Sequence, residues 1–347
     1  MMTSTGTPTG TEDTVTNVAQ IGIGRWGKNL LRNHYQLGSL KLACDLDQNN
    51  IDAALKLYPD LKITKNIEDV LNDPKIDAVV IATPASTHYA LGKKALAAGK
   101  HAYIEKPIVL KQQELEELIS LAQSKNKILM EGHLLLYHGA VNRMRQAIQD
   151  GLIGEVQQVY CRRAALGAIR FESNVLWDLG THDISVVYYL LDEHPAVISA
   201  QSAQFYPQKT DEVVFTAIKF PSGKIAHIHN SWLDPHKDRK AIAVGTKGML
   251  IMDELAADGK VKFIKKRVAY DPAKKFEHER YTYIDEGTEV LEYPEVEPLR
   301  EECQHFLKAC QAGTVPRSNG LNSLRVLKTL LAAQQSLENN GKPVEYC

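Results

Sequence analysis

Three side chains in this sequence have types and spacing suited to moving protons: Lys106, Asp178 and His182. Lys106 lies in Glu105-Lys106-Pro107, at the end of an apolar run. Asp178 and His182 open a helical pattern, one helical turn apart, so they share a face. Placed together, such groups can oxidise an alcohol. One base accepts the hydroxyl proton. A nearby cation steadies the developing oxyanion. The carboxylate orients the imidazole or holds the substrate. The residues themselves leave the proton-accepting role open between Lys106 and His182. Taken singly, each has a bland alternative. A lysine after a strand is commonly a solvated charge, and an Asp/His pair at a helix start commonly caps it.

The chemistry needs a hydride acceptor, and the sequence offers a place for one. Gly22-Ile23-Gly24-Arg25-Trp26-Gly27 follows the first apolar run and opens the first helical pattern. In that setting Gly22 permits a tight turn, Gly24 admits a pyrophosphate, and Gly27 lets helix and strand pack closely. Arg25 and Trp26 lie inside the loop and are candidate contacts. Helix N-terminal amides add donors and partial positive charge. Asp45 ends the second predicted strand, where an acidic side chain accepts from adenosine-ribose hydroxyls. A 2′-phosphate there would meet like charge, so NAD is expected over NADP. Asp47 reads as the N-cap of the next helix. Thr83 and Pro84 end a later strand on the same edge of the sheet, where ligands bind.

The elements that must carry these groups alternate. Val18–Ile23, Leu40–Cys44, Ala78–Ala82, Ala102–Glu105 and Ile128–Glu131 read as buried strands. Helical spacing lies between them, over Trp26–Leu37, Ile51–Tyr58, His88–Ala98 and Gln112–Ser124. Strand–helix alternation predicts a parallel sheet with right-handed crossovers. After about Leu136 the pattern changes. A helix over Val141–Asp150 and a strand over Gln157–Arg163 precede a helix over Asp178–Leu191. Five closely spaced strand-like runs follow, and helices at Leu299–Ala312 and Leu321–Asn339 close the chain. The expected class is α/β. A tail over residues 1–16 precedes a doubly wound Rossmann domain at 17–136 and an α+β domain at 137–347.

Composition narrows the function. The 347 residues are 44% hydrophobic, enough for two domain cores. Lys and Arg number 41 against 42 Asp and Glu, so no global basic surface for nucleic acid exists. No apolar run approaches membrane-spanning length. Five cysteines, Cys44, Cys161, Cys303, Cys310 and Cys347, form no CxxC pair. Free thiols in a reducing cytoplasm are expected. His227 and His229 share a strand face, with His236 nearby, but no second ligand pair supports a metal. No metal is expected.

The chain resembles the Gfo/Idh/MocA oxidoreductases from about Val18 to its last helix. The carriers are Gly22–Gly27, Ala82-Thr83-Pro84 with His88, Glu105-Lys106-Pro107, Gly132-His133, and Asp178 with His182. The resemblance implies a catalytic Lys, Asp and His at Lys106, Asp178 and His182. It implies NAD or NADP, a cofactor site including His88 and Glu105, and a sugar or polyol substrate. It also implies a homodimer or homotetramer built on an open sheet in the second domain.

The stretches Ser231–Arg239 and Glu297–Leu299 resemble a subgroup acting on surface-polysaccharide sugar nucleotides, the UDP-N-acetylglucosamine and UDP-N-acetylglucosaminuronate 3-dehydrogenases. That implies oxidation at C3 of a UDP-sugar. A diphosphate needs fixed cations, and Arg163, Lys237 and Arg239 are candidates, with Tyr137 a further cleft residue. His133 is expected beneath the nicotinamide or in the core. An inositol or free-sugar dehydrogenase is the alternative enzyme. A non-catalytic dinucleotide-sensing regulator is the alternative outside catalysis, although it would not need to keep Lys, Asp and His together.

Overall fold

The computed structural model describes residues 16–346, apart from 168, 171–172 and 208–209. The expected N-terminal tail therefore lies outside the described residues except for Thr16, whose hydroxyl reaches the Leu307 carbonyl. Cys347 also lies outside them, and the other four cysteines are free thiols.

The first sheet is built from β1 (Val18–Ile21), β2 (Leu40–Cys44), β3 (Ile63–Thr64), β4 (Ala78–Ile81), β5 (His101–Ile104) and β6 (Leu129–Glu131). Its order is β3-β2-β1-β4-β5-β6 and every pairing is parallel. The strands have little polar alternation because both faces are covered. Helices α1 (Gly27–Gln36), α2 (Gln48–Leu57), α3 (Ile67–Leu71), α4 (Ala85–Ala97) and α5 (Gln112–Ser124) make the crossovers. Asp47 caps α2 by accepting from Asn49 N–H. The sequence pattern missed β3 and α3, which are too short to show a period.

A short 3-10 turn, Leu134–Tyr137, leads into α6 (Gly139–Gln149), then β7 (Val156–Ala164). A π-helical turn, Leu176–Gly180, carries Asp178 into α7 (Thr181–Leu191). The helix expected over Asp178–Leu191 thus divides, its first three residues lying in the π-turn. Six strands follow: β8 (Val197–Ala203), β9 (Val213–Lys219), β10 (Ile225–Ser231), β11 (Asp238–Gly245), β12 (Gly248–Asp253) and β13 (Val261–Tyr270). Then come β14 (Tyr281–Val290), α8 (Pro298–Ala312), α9 (Gly320–Glu338) and β15 (Val344–Glu345).

The second sheet has nine strands, ordered β14-β13-β12-β11-β7-β10-β9-β8-β15. All its pairings are antiparallel except β7 with β10. Period-two alternation decides which side chains meet the helices. Val159, Cys161, Ala226, Ile228, Ala241 and Ala243 pack with residues of α6, α7 and α9. Tyr160, Phe215 and His229 face away from those helices, and the last two rings stack with centroids 4.3 Å apart. This face is open among the described residues.

The last two helices, placed in the second unit by sequence, also bind the first. Leu299, Cys303, Phe306 and Leu307 of α8 share a buried cluster with Val18, Ala78, Val80, Tyr103 and Met130. Leu327 of α9 joins the core on the other side of the Rossmann sheet. The segment before α9 extends the sheet edge, where Glu131 N–H donates to the Ser318 carbonyl at 2.9 Å.

Candidate active site

The loop between β1 and α1 has the form a dinucleotide requires. Gly22 adopts φ +89°, and a Cβ there would lie 2.5 Å from the Ala82 carbonyl oxygen. At Gly27 a Cβ would strike the Gly22 carbonyl. At Gly24 the nearest atom would be 3.7 Å away, so the chain is open where a phosphate would approach. Buried Gln20 braces the turn by donating to the Gly22 and Gly27 carbonyls at 2.9 and 2.7 Å. No side chain caps the start of α1, where the Lys28 and Asn29 amides donate to the Gly24 and Trp26 carbonyls. Asp45 accepts from Ile23 N–H at 2.7 Å and Asp47 N–H at 2.9 Å. These residues fit a bound NAD: the loop would hold the pyrophosphate and Asp45 the ribose hydroxyls.

Trp26 projects from the same loop, and its indole N–H donates to the Glu105 carboxylate at 2.6 Å. The glycine loop is thereby tied to the strand end that carries Lys106. Burial pushes the Glu105 carboxyl up to about 7, against the lowering effect of the Trp26 hydrogen bond. Thr83 Oγ1 bonds Thr87, and Pro84 precedes α4. His88 is buried, with its ring nitrogens 2.9 Å from the Pro107 carbonyl and 2.8 Å from the Thr83 carbonyl. It therefore sits between two strand ends, its one N–H donating to one of the two carbonyls, rather than facing a ligand. Arg25 is exposed on the loop.

Lys106, just past β5, reaches the π-helical turn before α7. Its ammonium lies 2.8 Å from the Asp178 backbone carbonyl and 3.5 Å from the Asp178 carboxylate. That carboxylate also holds Arg170 Nε at 3.0 Å and accepts from Trp232 Nε1 at 3.2 Å. Burial alone would raise the Asp178 carboxyl, but Lys106 and Arg170 hold it below the ordinary range. His182 is partly buried, and the loss of hydration pushes its pKa well below 6.5; the Lys106 and Arg163 charges push the same way. The imidazole is therefore uncharged at neutral pH, and its Nδ1 is buried without a hydrogen-bond partner.

Two of the expected substrate contacts are committed elsewhere. Arg163 is 8% exposed and binds Asp183 at 3.1 Å and Glu254 at 3.4 Å, so its donors brace α7 against the sheet. Tyr137 is buried, with its hydroxyl 3.1 Å from Ser318 Oγ and its ring against His305, outside the cleft. Arg239 pairs with the other oxygen of Glu254 at 3.4 Å and stays half-exposed. Lys237 is exposed. No group of three His, Cys, Asp or Glu among the described residues is arranged to hold a metal ion.

Sequence reasoning passed over Gln20, Glu131, Arg170, Trp232 and Glu254 as site residues. Only Glu131 left a signal, as a carboxylate ending an otherwise apolar run. The others act through folding contacts that have no local period.

Comparison with known proteins agrees with this architecture. Residues 16–133 match the family model described as "Oxidoreductase family, NAD-binding Rossmann fold", and residues 141–251 match the C-terminal domain of the same family. A scyllo-inositol 2-dehydrogenase (NAD(+)) of Bacillus subtilis is 27% identical over 348 residues, 94% of this chain and 95% of that one. A UDP-N-acetylglucosamine 3-dehydrogenase of Acidithiobacillus ferrooxidans is 29% identical over 194 residues, 55% of this chain and 59% of that one. A levoglucosan dehydrogenase solved with NADH and levoglucosan superposes with a TM-score of 0.81 at 20% identity, covering 95% of this chain and 99% of that one. The glycine loop, the two sheets and these matches make the chain a member of the Gfo/Idh/MocA family of oxidoreductases, whose first domain is an NAD-binding Rossmann fold.

Proposed function

We propose that this oxidoreductase removes a hydride from a secondary hydroxyl carbon of a sugar or cyclic polyol ring. Bound NAD would supply the hydride acceptor. His182, uncharged at neutral pH and partly exposed, accepts the hydroxyl proton. Lys106 steadies the oxygen as negative charge develops. Asp178 holds the Lys106 ammonium in place, and Arg170 and Trp232 fix that carboxylate in turn. The reading rests above all on Lys106 reaching from the Rossmann sheet edge to Asp178 at the head of α7.

Oxidation at C3 of a UDP-sugar is the finer form of this reading. The Acidithiobacillus relative and the exposed Lys237 support it. A neutral inositol or free sugar is the competing form, supported by the near full-length Bacillus relative and by the commitment of Arg163 to Asp183 and Glu254. A panel of UDP-sugars, inositols and free sugars, followed by absorbance of reduced nicotinamide, separates them. Lys106→Met should lower turnover of the best substrate by about 100-fold or more while NAD still binds. Unchanged turnover in that variant removes Lys106 from the mechanism. Undetectable turnover across the panel, together with a stable protein partner, would favour a dinucleotide-sensing regulator.

The open sheet face exposes Tyr160 and Phe215, which supports a homodimer or homotetramer formed there. The free thiols suit a reducing compartment such as the cytoplasm. No helix among the described residues is long and apolar enough to cross a membrane.

A further inference from the structure

Lys106 is followed by two peptide groups that are held from opposite sides. The Pro107 carbonyl faces His88 Nδ1 at 2.9 Å. The Ile108 amide donates to Glu131 Oε1 at 2.9 Å, in surroundings where Ile108 is 1% and Glu131 3% exposed. Glu131 is the last residue of β6, in register with Ile104 of β5, so the neighbouring strand supplies the grip. Its second oxygen lies 2.9 Å from His133 Nε2, and that ring is fully buried. Burial works to raise the Glu131 carboxyl, but His133, Ser323 and the Ile108 amide outweigh it and hold the group below its ordinary range. An ionised carboxylate is thus kept inside the Rossmann core with one oxygen on the backbone just beyond Lys106.

A buried charge is costly unless it is paired and hydrogen-bonded. Packing of β5 on β6 does not require one, since Leu129 and Met130 fill their positions with apolar side chains. What Glu131 adds is a directional bond to a peptide that could otherwise pivot with the lysine before it. The opposite end of Lys106 is fixed across the cleft by Asp178.

We infer that Glu131 is a positioning residue for Lys106, setting through the Ile108 amide the direction in which the lysine leaves the Rossmann sheet. His88 braces the same segment from the α4 side. The importance of that direction rests on the role proposed above for Lys106, whereas the grip itself is a matter of geometry.

The test compares Glu131→Met with Glu131→Gln in the full-length protein. The two replacements are similar in size and both remove the charge, but only glutamine keeps an oxygen for the Ile108 amide. Each variant is treated with a small amine-reactive ester, and modification of Lys106 is followed by peptide mass spectrometry against exposed Lys65 as internal reference. Relative to Lys65, Lys106 should react about tenfold faster in Glu131→Met and within about twofold of the parent rate in Glu131→Gln. Equal rates in the parent and Glu131→Met overturn the inference. So does a Glu131→Gln rate as high as that of Glu131→Met, because charge rather than the bond would then be responsible. Should Glu131→Met fail to fold, amide exchange in the parent protein decides. The Ile108 amide should exchange with the slow core amides, and exchange as fast as exposed loops excludes the grip. Neither readout needs turnover, so a wrong substrate leaves them unaffected, and a failed grip leaves the dehydrogenase reading standing.

Discussion

His182 and Glu105 are both driven toward their uncharged forms by burial, with opposite consequences for pH. For His182 the neutral form is the working form of a base. Its pKa lies well below 6.5, so the acid limb of kcat/KM should fall below pH 6.5 instead of near it. An acid limb at or above pH 6.5 would show that His182 is not the proton acceptor, or that it is solvated. For Glu105 the folded state holds a proton that the unfolded chain releases, between its ordinary 4.5 and about 7. Across that window the native state binds more protons than the unfolded state, so stability falls as pH rises. Thermal unfolding from pH 4.5 to 7 should show this decline, and Glu105→Gln should reduce its slope, with buried Glu302, whose carboxyl is also raised by burial, carrying the rest. An equal slope in the variant would place the pH dependence on other groups.

At the scale of the element, the β1–α1 turn has the tightest requirements. Gly22→Ala forces a side chain into a positive-φ position against the Ala82 carbonyl. A cost of about 1–3 kcal/mol in unfolding free energy is expected from the backbone conformation alone. NAD affinity should fall with it, read by thermal shift with and without the dinucleotide. Retained stability and affinity would mean that the turn can re-form without glycine. This turn was legible in the sequence because glycine spacing, strand and helix all occur within a few residues. So were the strand ends carrying Asp45, Thr83 and Lys106, since a buried strand stops where a turn residue appears. The π-helical turn at Leu176–Gly180 was not legible, because its composition is that of an ordinary helix start. The same limit applied to Arg163, which reads as a free cation on a strand. Only the fold brings Asp183 and Glu254 beside it. Strands β13 and β14 escaped for a related reason, since they are largely exposed and mix charged side chains with apolar ones.

For the whole molecule, the sequence presented two units in succession, whereas the chain returns to the first at its end. Helix α8 fills the face of the Rossmann sheet with Phe306, which is 0% exposed and packs edge-on to Tyr103 at 5.6 Å. Phe306→Ala should cost about 3–5 kcal/mol. Because Tyr103 lies on the strand leading to Lys106, the loss should weaken NAD binding as well as global stability. Wild-type unfolding in that variant would remove α8 from the core of the cofactor domain. The return of α8 and α9 also limits how this protein could be recombined. Excising the dinucleotide module at the apparent seam after residue 136 would bare the hydrophobic surface those helices cover and leave the β6 edge without the Ser318 partner. A working chimera must therefore borrow the final two helices together with the first sheet, although nearly half of the chain lies between them.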